Sequence, residues 1–404
     1  MDVCVGFEVH QPYRLDRGFV KEKAEGMQPE ELFEVYFDSD WNREILNRVA
    51  EQCYLPANEI LLQNIEKFED EDGCFKVAIS ISGTLVEQLE KYYPEVLDSF
   101  KRLAKRENVE LLGQTYYHSL ASLYSIGRRE FLEQVRMHED CMENSFGCEP
   151  KVFENTEFLY NNSIAKTVSG LGYEGVFTEG AERVLGWRSP NYVYQAVGSD
   201  IKVFMRNYRL SDDVGFRFSN QDWNEWPLTA GKYAAWLSEA QGQCVNLFMD
   251  YETFGEYHWP VSGIHDFLRH LPGEVLARDN LRFANPSELL NHDSVDRVNV
   301  KDYDTVSWAD ENRDTSPWLG NELQRVCYKS LKELERPVKK SGDENLLKIW
   351  RLLQVSDHLY YMALEGGSAG EVHGYFSQQT AKEAFRAYSR IVSDFREKVL
   401  NYLS

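Results

Sequence analysis

The sequence has little of what marks a secreted, membrane-bound or nucleic-acid-binding protein. No stretch of 18 residues is free of charge, so no typical membrane-spanning helix is predicted. Segment 2–9 reads as a strand and is not preceded by a basic region, an apolar core or a cleavage site, so no secretion signal is predicted. Because 66 acidic residues outweigh 44 basic ones, the net charge of −22 disfavours nucleic acid and anionic membranes as partners. We therefore expect a cytoplasmic protein that acts on a neutral substrate.

Cysteine pairing is also absent from the sequence. The seven cysteines form an odd number without CxxC spacing, which predicts neither a structural zinc site nor a disulfide framework. Most of them are expected to be buried thiols in a reducing compartment. No metal and no cofactor is predicted.

Aromatic residues, by contrast, are abundant, at 13% of the 404 residues. Aromatic rings can stack on the C–H faces of sugars, but most rings in a globular protein belong to its core. The composition therefore fits a carbohydrate site without requiring one.

Residues 1–300 alternate short apolar runs with helical patterns, which is typical of parallel βα units. About seven such repeats predict an α/β fold with a closed or nearly closed barrel. The predicted strands are 3–10, 75–82, 109–114, 152–157, 175–179, 202–206 and 245–250, with a weaker run at 281–284. The predicted helices between them include 42–67, 84–105, 128–146 and 233–240.

Residues 301–404 have a different pattern, in which long helical segments dominate. The predicted helices are 319–334, 343–364 and 380–403, and Glu365-Gly366-Gly367 is expected to end the second one, since glycine commonly closes helices. We predict a C-terminal α-helical domain packed against the barrel.

Polar side chains stand at the ends of several predicted strands. The active site of a parallel barrel lies where the carboxyl ends of its strands meet. Several ionisable or amide side chains that converge there are harder to explain by packing than any one alone. These residues are His10-Gln11, Gln114-Thr115, Glu157, Glu179, Arg206-Asn207 and Asp250.

Two of these carboxyl groups stand out. Asp250 ends an apolar strand and precedes a polar and aromatic loop, while Glu157 ends segment 152–157. Strand alternation places Glu157 on one face with Phe153 and Asn155, and Glu154 on the other face with Thr156. Retaining glycosidases need two carboxyl groups ~5–5.5 Å apart, from different strands. A lone strand-end carboxylate is more often a salt bridge or a helix cap, so the pair remains a hypothesis at this point.

Five segments carry a resemblance that favours the catalytic interpretation. The sequence resembles glycoside hydrolase family 57, in the group of the α-amylases, and the resemblance covers essentially the whole chain. The matching segments are 9–14, 113–120, 155–157, 250–255 and the region of 307–310 with 313–321, and segments 206–213 and 356–362 also look like this group.

The resemblance implies an incomplete (β/α)7 barrel with a C-terminal helical domain that cleaves α-glucans with retention of configuration. It places the nucleophile at Glu157 and the general acid/base at Asp250. No carboxylate can be placed in the second segment, where some family members use one to bind substrate, and His118 is a candidate for that role. Glu252 is expected to support the Asp250 loop. Substrate-binding candidates are His10, Gln11, His118, Tyr257, Trp259, Trp308 and Asp310.

Three alternatives to a hydrolase remain open at this stage. A 4-α-glucanotransferase would use the same two carboxyl groups with a sugar as the acceptor. A metal-dependent carbohydrate deacetylase would recruit His10, His118 and His258, although no HxxxH or HExxH spacing supports it. A non-catalytic glycan-binding protein would use the same cleft without turnover. Linkage, chain-length preference and oligomeric state are not predicted, while His358 is expected to belong to the core.

Overall fold

The computed structural model describes residues 1–69, 74–124, 127–364 and 380–404. The predicted helix end at Glu365-Gly366-Gly367 lies outside these residues. In the part of the chain that is described, no helix is both long enough and apolar enough to cross a membrane.

The strands of the described residues belong to one sheet. They are β1 (Asp2–Val9), β2 (Val77–Ile81), β3 (Val109–Leu111), β4 (Val152–Phe153), β5 (Gly175–Glu179), β6 (Val193–Ala196), β7 (Lys202–Arg206), β8 (Cys244–Asp250), β9 (Arg282–Phe283) and β10 (Arg297–Val298). Every residue of β1 is buried, as expected of a parallel strand that is covered on both sides.

Seven parallel strands, β1–β5, β7 and β8, form an incomplete barrel. β1 lies between β2 and β8, β2 also pairs with β3, and β5 lies between β4 and β7. The two remaining junctions are each a single residue pair, Gly113 with Phe153 and Arg206 with Asn246. The predicted incomplete (β/α)7 barrel is confirmed. β6, which pairs antiparallel with β7, was not predicted.

Helices surround the barrel and fill the C-terminal region. They are α1 (Phe33–Tyr36), α2 (Ser39–Val49), α3 (Leu55–Lys67), α4 (Gly83–Tyr92), α5 (Pro94–Ala104), α6 (Arg129–Phe146), α7 (Asn162–Ser169), α8 (Glu182–Leu185), α9 (Tyr208–Gly215), α10 (Ala230–Glu239), α11 (Ile264–Leu276), α12 (Pro286–Leu289), α13 (Ser316–Leu319), α14 (Glu322–Glu333), α15 (Glu335–Ser341), α16 (Glu344–Leu352), α17 (Ser356–Tyr360) and α18 (Ala381–Tyr402).

Three predicted helices are divided in the structure. Segment 42–67 is α2 and α3 joined by a π-helical turn at Ala50–Tyr54. Segment 84–105 is α4 and α5, because Pro94 lacks the amide hydrogen that would continue α4. Segment 343–364 is α16 and α17, which are separated by an extended residue at Val355.

The last division brings α17 to the rim of the barrel. Ser119 and Val355 form a short antiparallel bridge, and the backbone N–H of Ser356 donates to the carbonyl of His118 at 3.0 Å. The helical region therefore contributes side chains to the carboxyl edge of the sheet.

β4 is shorter than predicted, since it ends at Phe153 and not at Glu157. Glu157 and Phe158 both have positive φ, at 58° and 55°. Two consecutive left-handed residues cannot continue a strand. The predicted alternation of faces along 152–157 is therefore wrong at Glu157.

Candidate active site

A cavity of about 370 Å³ opens at the carboxyl edge of the barrel. Residues from the ends of β1, β7 and β8 and from the loops after β3 and β4 line it, together with α17. The predicted site residues in its wall are His10, Gln11, His118, Glu157, Asp250, Tyr257, Trp308 and Asp310. The structure thus brings together eight of the nine predicted residues. Trp259, the ninth, is 60% exposed and lies outside the cavity wall.

A tight turn presents Glu157 to the cavity. The side-chain amide of Asn155 spans this turn, donating to the carbonyl of Leu159 at 2.7 Å and to Ser122 Oγ at 3.0 Å. The ring of Phe158 is buried against Phe248, with centroids 4.8 Å apart. A left-handed non-glycine residue costs about 1–3 kcal/mol, and these contacts offset that strain.

Both oxygens of the Glu157 carboxylate face donors from distant parts of the chain. Trp308 Nε1 donates to Oε2 at 2.8 Å, and Ser356 Oγ donates to Oε1 at 2.8 Å. His118 Nε2 lies 3.5 Å from Oε1. Donors on both oxygens fix the orientation of the carboxyl group.

The electrostatic environment of Asp250 differs from that of Glu157. Burial, followed by the negative charges of Glu157 and Glu8, raises the pKa of Asp250 to about 7. The hydroxyl of Tyr257 donates to Oδ2 at 3.1 Å and acts against this rise. A carboxyl group with a pKa near neutrality can both give and accept a proton during a reaction.

Two histidines stack in the wall of the cavity, with ring centroids 4.1 Å apart and planes 21° from parallel. Burial lowers the pKa of His118, but the charges of Glu8 and Glu157 outweigh burial and raise it well above its ordinary value. Burial and the neighbouring charge of His118 lower the pKa of His10. The pKa values of the two stacked rings are therefore shifted in opposite directions, and His118 is the ring that more readily holds a proton.

His10 is held from two sides. Its Nδ1 lies 2.7 Å from Ser82 Oγ, and its Nε2 lies 3.3 Å from Asp357 Oδ2. Burial acts to raise the pKa of Asp357, yet its contacts with His10 lower it overall. Asp357 is thus a carboxylate in the wall of the cavity.

Gln11 links the wall of the cavity to a buried carboxyl group. Its Nε2 donates to Glu252 Oε1 at 3.1 Å, and Arg14 Nη2 donates to its Oε1 at 2.7 Å. Burial and the charge of Asp250 raise the pKa of Glu252 to about 8. Tyr54 also donates to Glu252, at 2.5 Å, so this carboxyl group is anchored from the α3 side.

The remaining candidates take different places. Trp308 stacks on Phe158, with centroids 4.8 Å apart, and thereby supports the turn that carries Glu157. Asp310 lines the cavity and accepts a hydrogen bond from Ser316 Oγ at 3.3 Å. Glu179, one of the strand-end residues, is buried in an ion pair with Arg206 at 2.8 Å.

Sequence reasoning missed several residues around the cavity. Glu8 lies two positions before His10 on β1, so strand alternation could have placed both on one face. Ser356, Asp357 and Tyr360 belong to α17, and no local pattern connects them with strands that end far earlier in the sequence. Segment 356–362 matched the family, but no role was assigned to any of these three residues.

His258 and His358 are both buried and lie outside the cavity wall. His258 Nε2 faces the carbonyl of Val214 at 2.8 Å, and Nδ1 faces Ser219 Oγ at 2.8 Å. His358 packs against Tyr388, and burial lowers its pKa to about 4, as expected of a core histidine. Within the described ranges, no group of three or more histidine, cysteine, aspartate or glutamate residues is arranged to hold a metal ion.

Comparison with known proteins assigns the class of the protein first. A parallel barrel whose carboxyl edge holds two carboxyl groups from different strand ends has the architecture of a glycoside hydrolase, and the protein is one. The model of the family described as Glycosyl hydrolase family 57 matches residues 4–306. The chain belongs to glycosyl hydrolase family 57.

Three similar proteins show how far the likeness extends. A Methanocaldococcus jannaschii protein named "Putative alpha-amylase" is 43% identical over 414 residues, covering 100% of this chain and 86% of the relative. The branching enzyme of Thermococcus kodakaraensis has a TM-score of 0.69 at 14% identity and covers 100% of this chain and 91% of its own. The 4-alpha-glucanotransferase of Thermococcus litoralis has a TM-score of 0.66 at 18% identity, and this chain spans 60% of its length.

The predicted family, the fold class and the assignment as a glycoside hydrolase are confirmed by these likenesses. At 14% and 18% identity the two solved structures show the fold alone. The roles of the individual site residues remain predictions.

Proposed function

We propose that the protein hydrolyses α-glucans with retention of anomeric configuration, with Glu157 as nucleophile and Asp250 as general acid/base. One observation carries the proposal: a single cavity holds a carboxylate with donors on both oxygens beside a carboxyl group whose pKa is raised to about 7. Retaining glycosidases need that division between an ionised and a protonated group. The α-glucan substrate class follows from the family and from the name of the relative at 43% identity.

In the first step of this mechanism, an oxygen of Glu157 bonds to the anomeric carbon as the glycosidic bond breaks. The proton of Asp250 passes to the leaving oxygen, which departs as a sugar hydroxyl. In the second step, water attacks the same carbon and gives its proton to Asp250. The ester bond then breaks, and both carboxyl groups return to their starting forms.

Neighbouring residues orient these two groups and the sugar. Ser356, Trp308 and His118 hold the plane of the Glu157 carboxylate through the contacts described above. His10 and Asp357 face the cavity as a hydrogen-bonding pair that suits vicinal sugar hydroxyls.

The direct test is product analysis on a series of maltooligosaccharides, with the wild type beside Glu157→Gln and Asp250→Asn. Shorter products from the wild type alone, unchanged by EDTA, are the expected result. Loss of activity with EDTA would favour the deacetylase type of metal chemistry. Binding without turnover would favour a glycan-binding protein, and either outcome contradicts the proposal.

Transglycosylation with the same carboxyl groups is the second candidate. It is favoured by aromatic rings in the cavity wall beyond the carboxyl groups, at Tyr208, Phe216 and Tyr360, on which an acceptor sugar can stack. In that case a sugar hydroxyl replaces water in the second step. Products longer than the input would identify a 4-α-glucanotransferase.

A further inference from the structure

The interior of the barrel contains two glutamates, one of them also in the cavity wall, that take no part in the bond-making or proton-transfer steps of the proposed mechanism. Glu8 on β1 and Glu154, which follows β4, are 2% and 0% exposed. Ser80, the register partner of Glu8 on β2, and Gln114, which follows β3, lie beside them. Two buried carboxylates in contact would repel each other strongly, so their protonation must be settled by the groups around them.

Only one set of donor and acceptor roles is consistent with the hydrogen bonds of this cluster. Gln114 Nε2 donates to Glu8 Oε1 at 3.1 Å and to Ser80 Oγ at 2.8 Å. The single proton of Ser80 is therefore free to donate to Glu154 Oε2, at 2.9 Å. Glu8 Oε2 and Glu154 Oε1 are left buried without another hydrogen-bond partner. Because the two carboxyl groups are in hydrogen-bond contact with each other, a shared proton between these two oxygens satisfies both.

Charge decides which glutamate carries that proton. Glu8 Oε1 lies 3.4 Å from His118 Nδ1, whereas the donor to Glu154 is a neutral hydroxyl. Burial and the charge of Glu8 raise the pKa of Glu154 well above its ordinary value. Burial also acts to raise the pKa of Glu8, but the imidazolium of His118 lowers it overall. The proton therefore belongs to Glu154 and the negative charge to Glu8.

We propose that Glu154, in its protonated form, donates to Glu8, and that the single charge left on this pair holds His118 as an imidazolium that donates to Glu157. Glu8 and Glu154 are positioning residues, since they act on the cavity through His118. The charges proposed for Glu8, Glu154 and His118 are inferred from the geometry of the cluster. The catalytic consequence of these charges rests on the proposed function.

The consequence concerns the covalent stage of the reaction. When Glu157 becomes an ester, it loses its negative charge, and His118 keeps Glu8 as its counter-ion. His118 then retains its proton throughout the cycle, and Asp250 remains the group that exchanges protons with the substrate. The other charged or titratable groups that face His118 are His10, Asp250 and Asp357.

The charge of His118 can be measured without any activity assay. In protein labelled with ¹⁵N at histidine, long-range ¹H–¹⁵N spectra distinguish an imidazolium from a neutral ring, and loss of one signal set in His118→Gln assigns the residue. We expect an imidazolium near neutral pH in the wild type and in Glu154→Gln, whose amide can donate to Glu8. In Glu8→Gln the ring is expected to be neutral. Glu110→Gln, which removes a mostly buried glutamate on β3 outside the cluster, serves as the control.

The proton on Glu154 has a signature of its own. Infrared spectra at alkaline pH, where Asp250 and Glu252 have lost their protons, should retain a carbonyl band of a protonated carboxyl group that disappears in Glu154→Gln. A neutral His118 in the wild type, an imidazolium in Glu8→Gln, or no such band would each overturn the proposal. The wild-type measurements remain decisive even if Glu8→Gln fails to fold.

Activity then tests the catalytic consequence separately. We expect kcat to fall by about 100-fold in Glu8→Gln and by less than about 10-fold in Glu154→Gln, because misplacing a reacting group costs about this much. The acidic limb of the pH profile of activity should move to higher pH in Glu8→Gln and should stay in place in Glu154→Gln. An unchanged pH profile in Glu8→Gln would contradict the proposed effect of the buried pair on catalysis. If the wild type turns over no maltooligosaccharide, the proposed function fails while the spectroscopic test stands.

Discussion

At the scale of single residues, one chemical group takes four different settings within this barrel. The carboxyl of Glu157 faces three donors, Asp250 is buried beside other negative charges, and Glu252 is buried behind Asp250. Glu8 Oε1 lies 3.4 Å from the ring of His118. The proposed roles of nucleophile and acid/base rest on these surroundings and not on the residue type.

The stereochemistry of azide rescue separates the roles of the two carboxyl groups. With an activated aryl α-maltooligoside, Glu157→Ala plus azide should yield the β-glycosyl azide, because azide replaces the nucleophile in a single displacement. Asp250→Ala plus azide should yield the α-glycosyl azide, since the covalent intermediate still forms and azide attacks it. Proton NMR of the anomeric hydrogen identifies each product. The same anomer from both variants would contradict the assignment.

The hydroxyl of Tyr257 provides a test of the pKa of Asp250. Asp250 must be protonated to act as the acid, so activity should fall as pH rises through about 7. Tyr257→Phe removes a donor that lowers this pKa, so the alkaline limb of kcat/KM should move to higher pH. Tyr160→Phe removes a buried hydroxyl outside the cavity and should leave the limb in place. A shift to lower pH in Tyr257→Phe would contradict the assignment of the limb to Asp250.

At the scale of elements, the turn after β4 shows what sequence periodicity can and cannot predict. Alternating buried residues located the strand, and the Asn-Thr-Glu segment identified Glu157 as a candidate. The left-handed backbone at Glu157 was not predictable, because it depends on contacts with Ser122, Phe248 and Trp308 from elsewhere in the fold. Glu154, which alternation placed away from the site, belongs to the buried carboxyl pair.

Asn155 is expected to hold this turn in its active geometry. Asn155→Leu keeps the volume of the side chain but removes the amide that donates to Leu159 and Ser122. We expect kcat to fall by about 100-fold with little change in KM, because the turn aims the carboxylate without contributing to sugar binding. Steady-state kinetics on maltooligosaccharides would measure both constants.

Asn64→Leu is the matched control for that variant. Asn64 is also a buried asparagine that donates to a backbone carbonyl, that of Leu268 at 3.2 Å, but it lies on α3 and away from the cavity. Both variants should lose thermal stability, and only Asn155→Leu should lose kcat. A proportional loss of kcat in both would show that Asn155 acts through general stability.

The other strands and helices were predictable where the evidence lies within a short segment of the sequence. They were not predictable where a boundary or position depends on residues far away in the chain. The repeated apolar strands predicted the barrel, because parallel strands covered by helices are buried along their length. Division of the predicted helices at Pro94 and Val355 depended on single residues within long amphipathic patterns. The position of α17 at the barrel rim depends on tertiary contacts. For that reason Ser356 and Asp357 were not predicted as site residues.

At the scale of the whole molecule, buried contacts cross the predicted boundary between residues 1–300 and 301–404. One cluster of buried residues joins Tyr13, Tyr36 and Phe37 near the N-terminus with Trp350 and Phe395 in the C-terminal helices. The cavity also joins both parts of the chain, since Ser356 donates to Glu157 across 199 residues of sequence. The C-terminal helices therefore share a buried core with the N-terminal segment and share the cavity with the barrel.

That shared core predicts one cooperative unfolding transition. Calorimetry should show a single peak that coincides with the loss of helical and aromatic circular dichroism signals. Tyr36→Phe removes a donor to the buried carboxyl of Asp394, at 2.6 Å, which costs about 1–3 kcal/mol. It should lower the Tm of the whole transition, whereas Tyr402→Phe at the exposed end of α18 should not. If the boundary at 300 instead separated independent domains, two transitions would appear, and Tyr36→Phe would move the one that reports on the helices.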